Sequence, residues 1–267
     1  MSIRGIKLHR FDLRQGATLE REDVVAVDEA VCMFVNDEYF RTLIASPTMK
    51  RELVVGHLIG EGLIESVSDL KSIEIKPPKV YVELHGEVDL DLLSRSKVDL
   101  ITTACGSLTA PLRDSQLENL KVASDIRVEA EKVWGMVNEL NKRSKLFRET
   151  GGTHSAMLCS PGGEILAFAE DVGRHNAVDK VVGAAALSGV DMGGCVLICS
   201  GRQSSEMVLK ATRAEVPVLA SVAGPLDSGI RIAEAAGITL ICFVRGRRMN
   251  VYTHPQRLYL NKETNGT

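Results

Sequence analysis

Aromatic side chains are scarce in this chain: six Phe, four Tyr and one Trp among 267 residues. A core built without them must rest on Val, Leu, Ile and Ala, a composition that suits parallel strands covered by helices. Long apolar runs are missing too. No stretch reaches about 18 uncharged apolar residues, so no membrane-spanning helix is expected. The N-terminal MSIRGIKLHRFDLRQG lacks the apolar segment of a signal peptide. Neither sign of charge is in excess, with a net charge of −3 and a pI of about 6.1. A general binder of nucleic-acid backbone would carry a basic surplus, so any basic site must be local. The chain has no G-x-x-x-x-G-K-[ST], which argues against a P-loop NTPase. It has no P-C-x-x-C to complete a zinc-deaminase signature, which argues against that chemistry. No set of Cys and His has finger-like spacing, so no metal is expected.

What is present divides at about the middle. Residues 1–23 are polar and mixed, a strand-like lead-in or a frayed end. Residues 24–36 and 39–44 read as strands around an Asn36-Asp37-Glu38 turn, followed by a helix carrying Leu53, Val54, His57 and Leu58. A strand pair surrounds Pro77-Pro78. TTACGSLTAPLR (102–113) has no periodicity and reads as a loop. Residues 127–147 predict one amphipathic helix. From residue 151 strands and helices alternate, and short apolar strands (CVLICS, PVLASV, TLICFV) argue for an α/β layer structure. The expected organisation is a smaller α+β part over 1–113 and an α/β domain over 114–267.

Three strand ends in the second part are polar and contain glycine: 169–176, with Gly173, Arg174, His175 and Asn176; 200–205, with Ser200, Gly201 and Arg202; and 245–248, with Arg245, Gly246, Arg247 and Arg248. Open α/β sheets bind ligands beyond the carboxyl ends of their strands. Helix N-termini there offer unpaired N–H groups, glycines admit close approach, and arginines grip phosphate with paired hydrogen bonds. Each end alone is equally an ordinary helix cap with solvated arginines. Together they would form a pocket for a diphosphate or nucleotide. His154 and His175 are candidate acid–base groups or structural histidines. Glu170 and Asp171 are either paired acids or the cap of the following helix. Of the six cysteines, Cys32, Cys159, Cys195, Cys199 and Cys242 look like small buried hydrophobes. Cys105 sits in a polar loop beside Gly106 and Ser107, where a thiolate could be reached, or is an incidental loop cysteine.

TGGTHSAML (150–158), EDVGRHNAVDKVVG (170–183), SGRQSSEMVLKATRAEVPVLASVAGP (200–225) and AGITLICFVRGRRMNVYTHPQRL (236–258) resemble the FdhD family, the accessory sulfurtransferases of formate dehydrogenase. SPTMKRELVVGHLIGEGLI (46–64) is similar as well, so the resemblance spans most of the chain. It implies a cytidine-deaminase-like layered sandwich without zinc and a homodimer, while six cysteines without a Cys-dense framework suit reduced thiols in a cytoplasmic protein. It implies a persulfide on the loop cysteine, here Cys105, with sulfur taken from a cysteine desulfurase. It also implies delivery to the molybdenum, or tungsten, of a bis(molybdopterin guanine dinucleotide) cofactor destined for apo formate dehydrogenase. Many members have C-x-x-C in the loop, whereas this chain has Leu108 at the second position.

The family's cofactor-binding stretch falls on Phe243, Val244, Arg245, Gly246, Arg247 and Arg248. The expected mechanism is therefore a Cys105 persulfide carried toward a cofactor held by that stretch, by Ser200–Ser205 and by Gly173–Asn176, with His154 and His175 shaping the pocket. Guanine nucleotide would mimic the cofactor. The rival from another class is a cofactor chaperone without sulfur chemistry. Neither nucleic acid nor membrane is an expected partner.

Overall fold

Short-range turn chemistry builds the first part of the chain. In the computed structural model, which describes residues 1–86 and 121–261, strands β1 (Ile3–Asp12) and β2 (Ala17–Ala26) pair antiparallel as a separate two-stranded ribbon. The N-terminal residues thus form a hairpin, not a frayed end. Its turn is set by Asp12, whose Oδ1 accepts from the backbone N–H of Arg14 (2.9 Å) and Gln15 (3.2 Å), a local side-chain turn. β3 (Glu29–Val35) and β4 (Glu38–Ala45) are joined through Asn36 and Asp37, both left-handed at φ 48° and 66°. Two such residues match the twist of a tight hairpin. β5 (Leu70–Lys76) and β6 (Lys79–Leu84) complete a four-stranded sheet of order β4-β3-β6-β5. Between β4 and β5 lies α1 (Lys50–Glu61), which ends at left-handed Gly62.

After β7 (Val128–Glu129), the helix expected over 127–147 is two helices, α2 (Ala130–Arg143) and α3 (Lys145–Thr150). They part at Ser144, whose hydroxyl donates to the Leu140 carbonyl (2.7 Å) and lies 2.6 Å from Ser155 Oγ. A serine bonding back along its own helix disturbs that helix. β8 (His154–Cys159), β9 (Ile165–Asp171), α4 (Arg174–Leu187), β10 (Val196–Cys199), α5 (Ser205–Arg213), β11 (Val218–Ser221), α6 (Asp227–Ala236), β12 (Thr239–Arg245) and β13 (Arg248–Val251) follow. They make a six-stranded sheet of order β13-β12-β11-β10-β8-β9. β10, β11 and β12 are parallel, and β8 and β13 run against their neighbours. A short β14 (Leu258–Tyr259) pairs with β7. The architecture is mixed α/β. No described helix is long and apolar enough to cross a membrane.

Strand alternation divides the core. Met157, Cys159, Val196, Ile198, Val218, Ala220 and Ile241 face α2 and pack on Val133, Met136, Val137 and Leu140. Their alternates, among them Ala156, Leu158, Leu197, Cys199, Leu219 and Leu240, face α4, α5 and α6. That second core runs on through α1 into Val31, Met33, Val80 and Val82 of the four-stranded sheet. The two parts of the chain therefore share one hydrophobic core.

The join is a close crossing of α1 and α4. A Cβ on Gly56 would fall on the Asp179 carbonyl, and one on Gly183 would fall on the Glu52 carbonyl. Backbone meets backbone there, which only glycine permits. Gly183→Ala is therefore expected to lower unfolding free energy by about 3 kcal/mol, the upper end for overpacking. Gly194→Ala, where a Cβ meets nothing within 4 Å, should change it by less than about 0.5 kcal/mol. Urea denaturation of both variants measures the contrast.

Candidate functional site

The six-stranded sheet delivers its polar ends to one edge. β9 is antiparallel to β8, which is antiparallel to β10, so β9, β10, β11 and β12 all finish on the edge where β8 begins. Ser200, one residue beyond β10, extends the ladder. Its N–H donates to the Ser155 carbonyl (3.0 Å), and its Oγ accepts from the Ser155 N–H (3.0 Å) and lies 3.1 Å from His154 Nδ1. A Cβ on Gly201 would come within 2.9 Å of the Arg174 side chain, so glycine here lets Arg174 lie against the loop. The Gly201 carbonyl is held by Ser221 Oγ and Gln203 Nε2, both at 2.7 Å. His154, Arg174, His175, Ser200 and Gly201 are thereby brought around the ends of β8, β9 and β10. Burial, then the charges of Arg174 and His175, lower the pKa of His154, with Asp171 opposing. The ring is neutral at pH 7.

The candidate acid pair is divided by strand alternation, and both members are structural. Asp171 is fully buried. Its Oδ1 accepts from Gly173 N–H and Asn176 Nδ2 (2.9 Å each), and its Oδ2 from Ser46 N–H (2.9 Å) and Lys180 (2.6 Å). All four acceptor sites of the carboxylate are filled, and no proton-transfer role is left for it. Glu170 instead caps α3, accepting from the N–H groups of Leu146 (3.0 Å) and Phe147 (2.9 Å). Asn176 is committed to Asp171 and to the Ile44 carbonyl (2.8 Å), so its part in the site is to hold the turn.

The third strand end behaves differently. A register shift between Cys242 and Arg245, with Phe243 left-handed at φ 54°, re-aims the end of β12. The Phe243 ring packs on Gly224, where a Cβ would lie 2.6 Å from it, and Arg245 lies over the same ring at 5.4 Å. Val244 is 2% exposed and belongs to the core beneath α2. Gly246 and Arg247 (φ 56° and 58°) make the two-residue turn into β13. Arg247 is turned toward α2, pairing with Glu131 (2.9 Å) and covering Trp134 at 4.9 Å. Arg202, Arg245 and Arg248 are exposed. The strand end at 245–248 thus shares the edge with the other two but lies two strands from β10.

Several residues here gave no signal in the sequence. Glu206, in the first turn of α5, places Oε2 3.3 Å from His175 Nε2 and joins the starts of α4 and α5. Beside them a cavity of about 350 Å³ is lined by Arg41, His57, Glu61, His175, Asp179 and Lys210 among others. Lys210 bonds Asp179 at 2.7 Å, His57 Nδ1 donates to Asp179 (2.9 Å), and Arg41 reaches Glu61 (3.3 Å) and His57 Nε2 (3.4 Å). Burial first and Lys210 second keep His57 below its ordinary pKa. Burial pushes the Asp179 carboxyl up, but Lys210 and the His57 bond outweigh it and leave it below the carboxylate range. The network is a set of compensated charges walling the floor beneath α4. Each of its members reads as an ordinary polar face until the helices are packed together.

The edge suits an anion. α4 starts at Gly173 and α5 at Ser204, and neither has a side-chain cap. Ser204 Oγ and Gln203 Oε1 are buried with no hydrogen-bond partner among the described residues, and such atoms are costly unless something bonds them. The Ser204 hydroxyl, which can donate, fits phosphate-bearing cargo together with the uncapped helix starts and Arg174, whereas the Gln203 oxygen, an acceptor, calls for a donor. Four of the five described thiols are buried in the core, and Cys32, expected there too, is instead half-buried on β3. Burial raises the pKa of Cys195, Cys199 and Cys242, and pushes Cys159 up to about 12. Cys105 and Leu108 lie outside the described residues. Among the described residues no group of His, Cys, Asp and Glu could hold a metal ion.

Residues 26–259 match the model of the FdhD/NarQ family. The chain is 38% identical over 255 residues to the sulfur carrier protein FdhD of Thermoplasma acidophilum, covering 92% of this chain and 90% of that one. It is 37% identical over 249 residues to the sulfur carrier protein FdhD of Wolinella succinogenes, covering 92% and 86%. A crystal structure from Desulfotalea psychrophila, provisionally assigned as a formate dehydrogenase accessory protein, superposes with a TM-score of 0.77 at 25% identity, over 96% of this chain and 99% of that one. With the match running from β2 to the end of β14 and the relatives aligned along nearly their whole length, this chain belongs to the FdhD/NarQ family.

Proposed function

We propose that the protein is a sulfur carrier for formate dehydrogenase, with Cys105 as the carrying residue. The observation that supports this most is the polar edge of the six-stranded sheet, in a chain whose relatives are named sulfur carriers. The Cys105 thiolate attacks the outer sulfur of a cysteine desulfurase persulfide. A new S–S bond forms, the old one breaks, and the desulfurase cysteine leaves as a thiol. The molybdenum or tungsten of a bis(molybdopterin guanine dinucleotide) cofactor would be the recipient: the S–S bond breaks with its electron pair on the Cys105 sulfur, which leaves as a thiolate, and the sulfane sulfur becomes a sulfido ligand with two electrons from the metal, reduced to the +4 state beforehand and left at +6. One sulfur atom is enough to hold a persulfide, so Leu108 in place of a second cysteine is compatible with carriage and removes only an internal disulfide. The same reading includes a cytoplasmic homodimer, a cytidine-deaminase-like sandwich, a division at residues 113 and 114, and apo formate dehydrogenase as recipient.

In this reading Arg174 and the uncapped starts of α4 and α5 hold diphosphate, and exposed Arg202, Arg245 and Arg248 extend the basic surface. Neutral His154 positions Ser200 and adds no charge to the sheet edge. Because the folded-state pKa of His154 lies below the unfolded value of about 6.5, the unfolded chain takes the proton first. The stabilising contribution of the neutral ring is complete above that pH and is lost as pH falls below it.

Three outcomes are expected. Intact-protein mass spectrometry after incubation with a cysteine desulfurase and cysteine should show one added sulfur atom, absent in Cys105→Ala. An unloaded wild type that still binds guanine nucleotide would instead favour a cofactor chaperone, to which Leu108 also points. Arg174→Gln should weaken GDP binding about tenfold or more by calorimetry, the worth of a charge-assisted bond to phosphate. Denaturation midpoints should fall from pH 7 to pH 5 in the wild type, and fall less steeply in His154→Asn.

A further inference from the structure

The ribbon of β1 and β2 is the least supported element of the fold. Two paired strands alone are marginal in water, and every residue of β1 is exposed or half-buried. β2 is the inner strand, because it touches α3 and because a Cβ on Gly152 would lie 3.4 Å from Ala26. Among the described residues no strand pairs with the other edge of β1. The Val27 N–H donates to the Ser2 carbonyl (2.9 Å), so Ile3 and Ala26 form a pair without hydrogen bonds between them. By alternation, the N–H and C=O groups of Ile3, Gly5, Lys7, His9 and Phe11 point away from β2, toward the open edge. β1 runs its whole length without proline or a register shift, so nothing in its backbone stops a further strand.

The two strands divide their charge. β1 carries Arg4, Lys7 and Arg10 against Asp12, whereas β2 carries Glu20, Glu22 and Asp23 against Arg21. The basic strand is therefore the outer one. Arg4, Ile6, Leu8 and Arg10 alternate onto one face of the ribbon, an apolar pair between two arginines. Arg4 and Arg10 are exposed, and among the described residues neither makes an ion pair or a side-chain hydrogen bond. Their cross-strand neighbours, Val25 and Leu19, offer no counter-charge. Asp23, opposite Ile6, is turned to the Val24 N–H (2.8 Å). Gly5 lies between Arg4 and Ile6, and a Cβ there would meet nothing within 4 Å. No packing within the described chain calls for that glycine, and a glycine inside a strand leaves room for a second backbone to approach.

We infer that the outer edge of β1 is a docking strand for an extended acidic segment of a partner protein, which adds to the ribbon as an antiparallel third strand. Main-chain hydrogen bonds to the five outward residues hold the segment, and its side chains give the choice of sequence. Opposite Arg10, Leu8, Ile6 and Arg4 the fitting residues are acidic, apolar, apolar and acidic, each separated by one residue, because opposite charges across a strand pair attract and like charges repel. A second copy of this chain is a poor occupant for the same reason. Antiparallel pairing of two β1 strands through all the outward groups sets Lys7 on Lys7 and Arg4 on Arg10. Charged side chains on an edge blunt self-pairing in this way. An anionic lipid surface would use the arginines but leave the aligned N–H and C=O groups and the Ile6–Leu8 pair without a part. The docking edge involves neither the polar edge of the six-stranded sheet nor Cys105, so the inference goes beyond the sulfur-carrier reading and does not rest on it.

The test follows the fluorescence anisotropy of a labelled seven-residue peptide, with Glu at both ends, Val at its third and fifth positions and Thr elsewhere, as the full chain is added. Three further probes are titrated in parallel: the peptide with Lys in place of both Glu residues, the peptide N-methylated on every amide that would face β1, and phosphatidylserine vesicles. The Glu peptide should bind, and the Lys and N-methylated peptides should bind about tenfold more weakly or worse. Arg4→Glu combined with Arg10→Glu should reverse the preference and select the Lys peptide, a gain that damage to the ribbon could not produce. Equal binding of the N-methylated and parent peptides would overturn strand addition. Uptake of the vesicles with no binding of the Glu peptide would overturn a protein partner in favour of a membrane. Absence of binding by every probe would overturn the inference outright, and sulfur loading of Cys105 would still decide the sulfur-carrier reading by itself.

Discussion

The contact between α1 and α4 is the constraint on which the rest depends. Gly56 and Gly183 let two helix backbones touch, and everything carried on those helices is placed by that approach. It brings His57 of α1 onto Asp179 of α4 and leaves Lys210 of α5 to neutralise the carboxylate. It also sets Ser46, just ahead of α1, against Asp171 and Lys180. Buried charges are expensive when unpaired and tolerable when every partner is present. Here the pairing runs between the two halves of the chain, so one half cannot shift without exposing charges in the other. The start of α4, with Arg174 and His175, is fixed from below by the same contacts.

The polar edge of the sheet then follows from direction alone. Strands that run the same way end together, and the helices that follow them begin together. This is why Gly173 and Ser204 open α4 and α5 on the same side as Ser200 and Gly201. The edge is chemically mixed: cationic at Arg174, neutral at His154, and provided with buried acceptors that nothing in the described chain bonds. β12 departs from its neighbours through the bulge at Phe243, and beyond it Arg247 turns toward α2 while Arg245 lies over the Phe243 ring. A single irregular residue thus separates two basic surfaces on one edge.

The part of this that was legible in the sequence is the part governed by nearest neighbours. CVLICS, PVLASV and TLICFV read as buried strands because apolar runs of that length have few other homes. The hairpin at residues 3–26 did not show itself, since its strands lie on little else and carry almost no alternation in burial. Ser144 divided a helix through a bond to Ser155, eleven residues away, that no local pattern contains. Glu206 looks like a solvated helix residue in sequence, and His57 like one more member of the apolar stripe of α1. They become site and network residues only because α5 and α1 are packed against α4. For Asp171 the sequence left paired acid and helix cap open, and only its four filled acceptor positions show that it is structural.

A carrier of sulfane sulfur has a problem that a simple enzyme does not, because its own thiols can accept what it carries. Exchange needs a thiolate and a reachable sulfur. Cys159, Cys195, Cys199 and Cys242 meet neither condition. Each is at most 3% exposed, and burial raises the pKa of every one. Cys199 is further occupied by Gln203, whose Nε2 lies 2.9 Å from its sulfur. These residues read as small core hydrophobes, and in packing terms they are. In a protein whose proposed persulfide sits on Cys105, the same burial keeps four potential acceptors protonated and out of reach. The aliphatic core that replaces aromatics in this chain therefore does more than hold the sheet together, because it limits sulfur exchange to thiols outside that core.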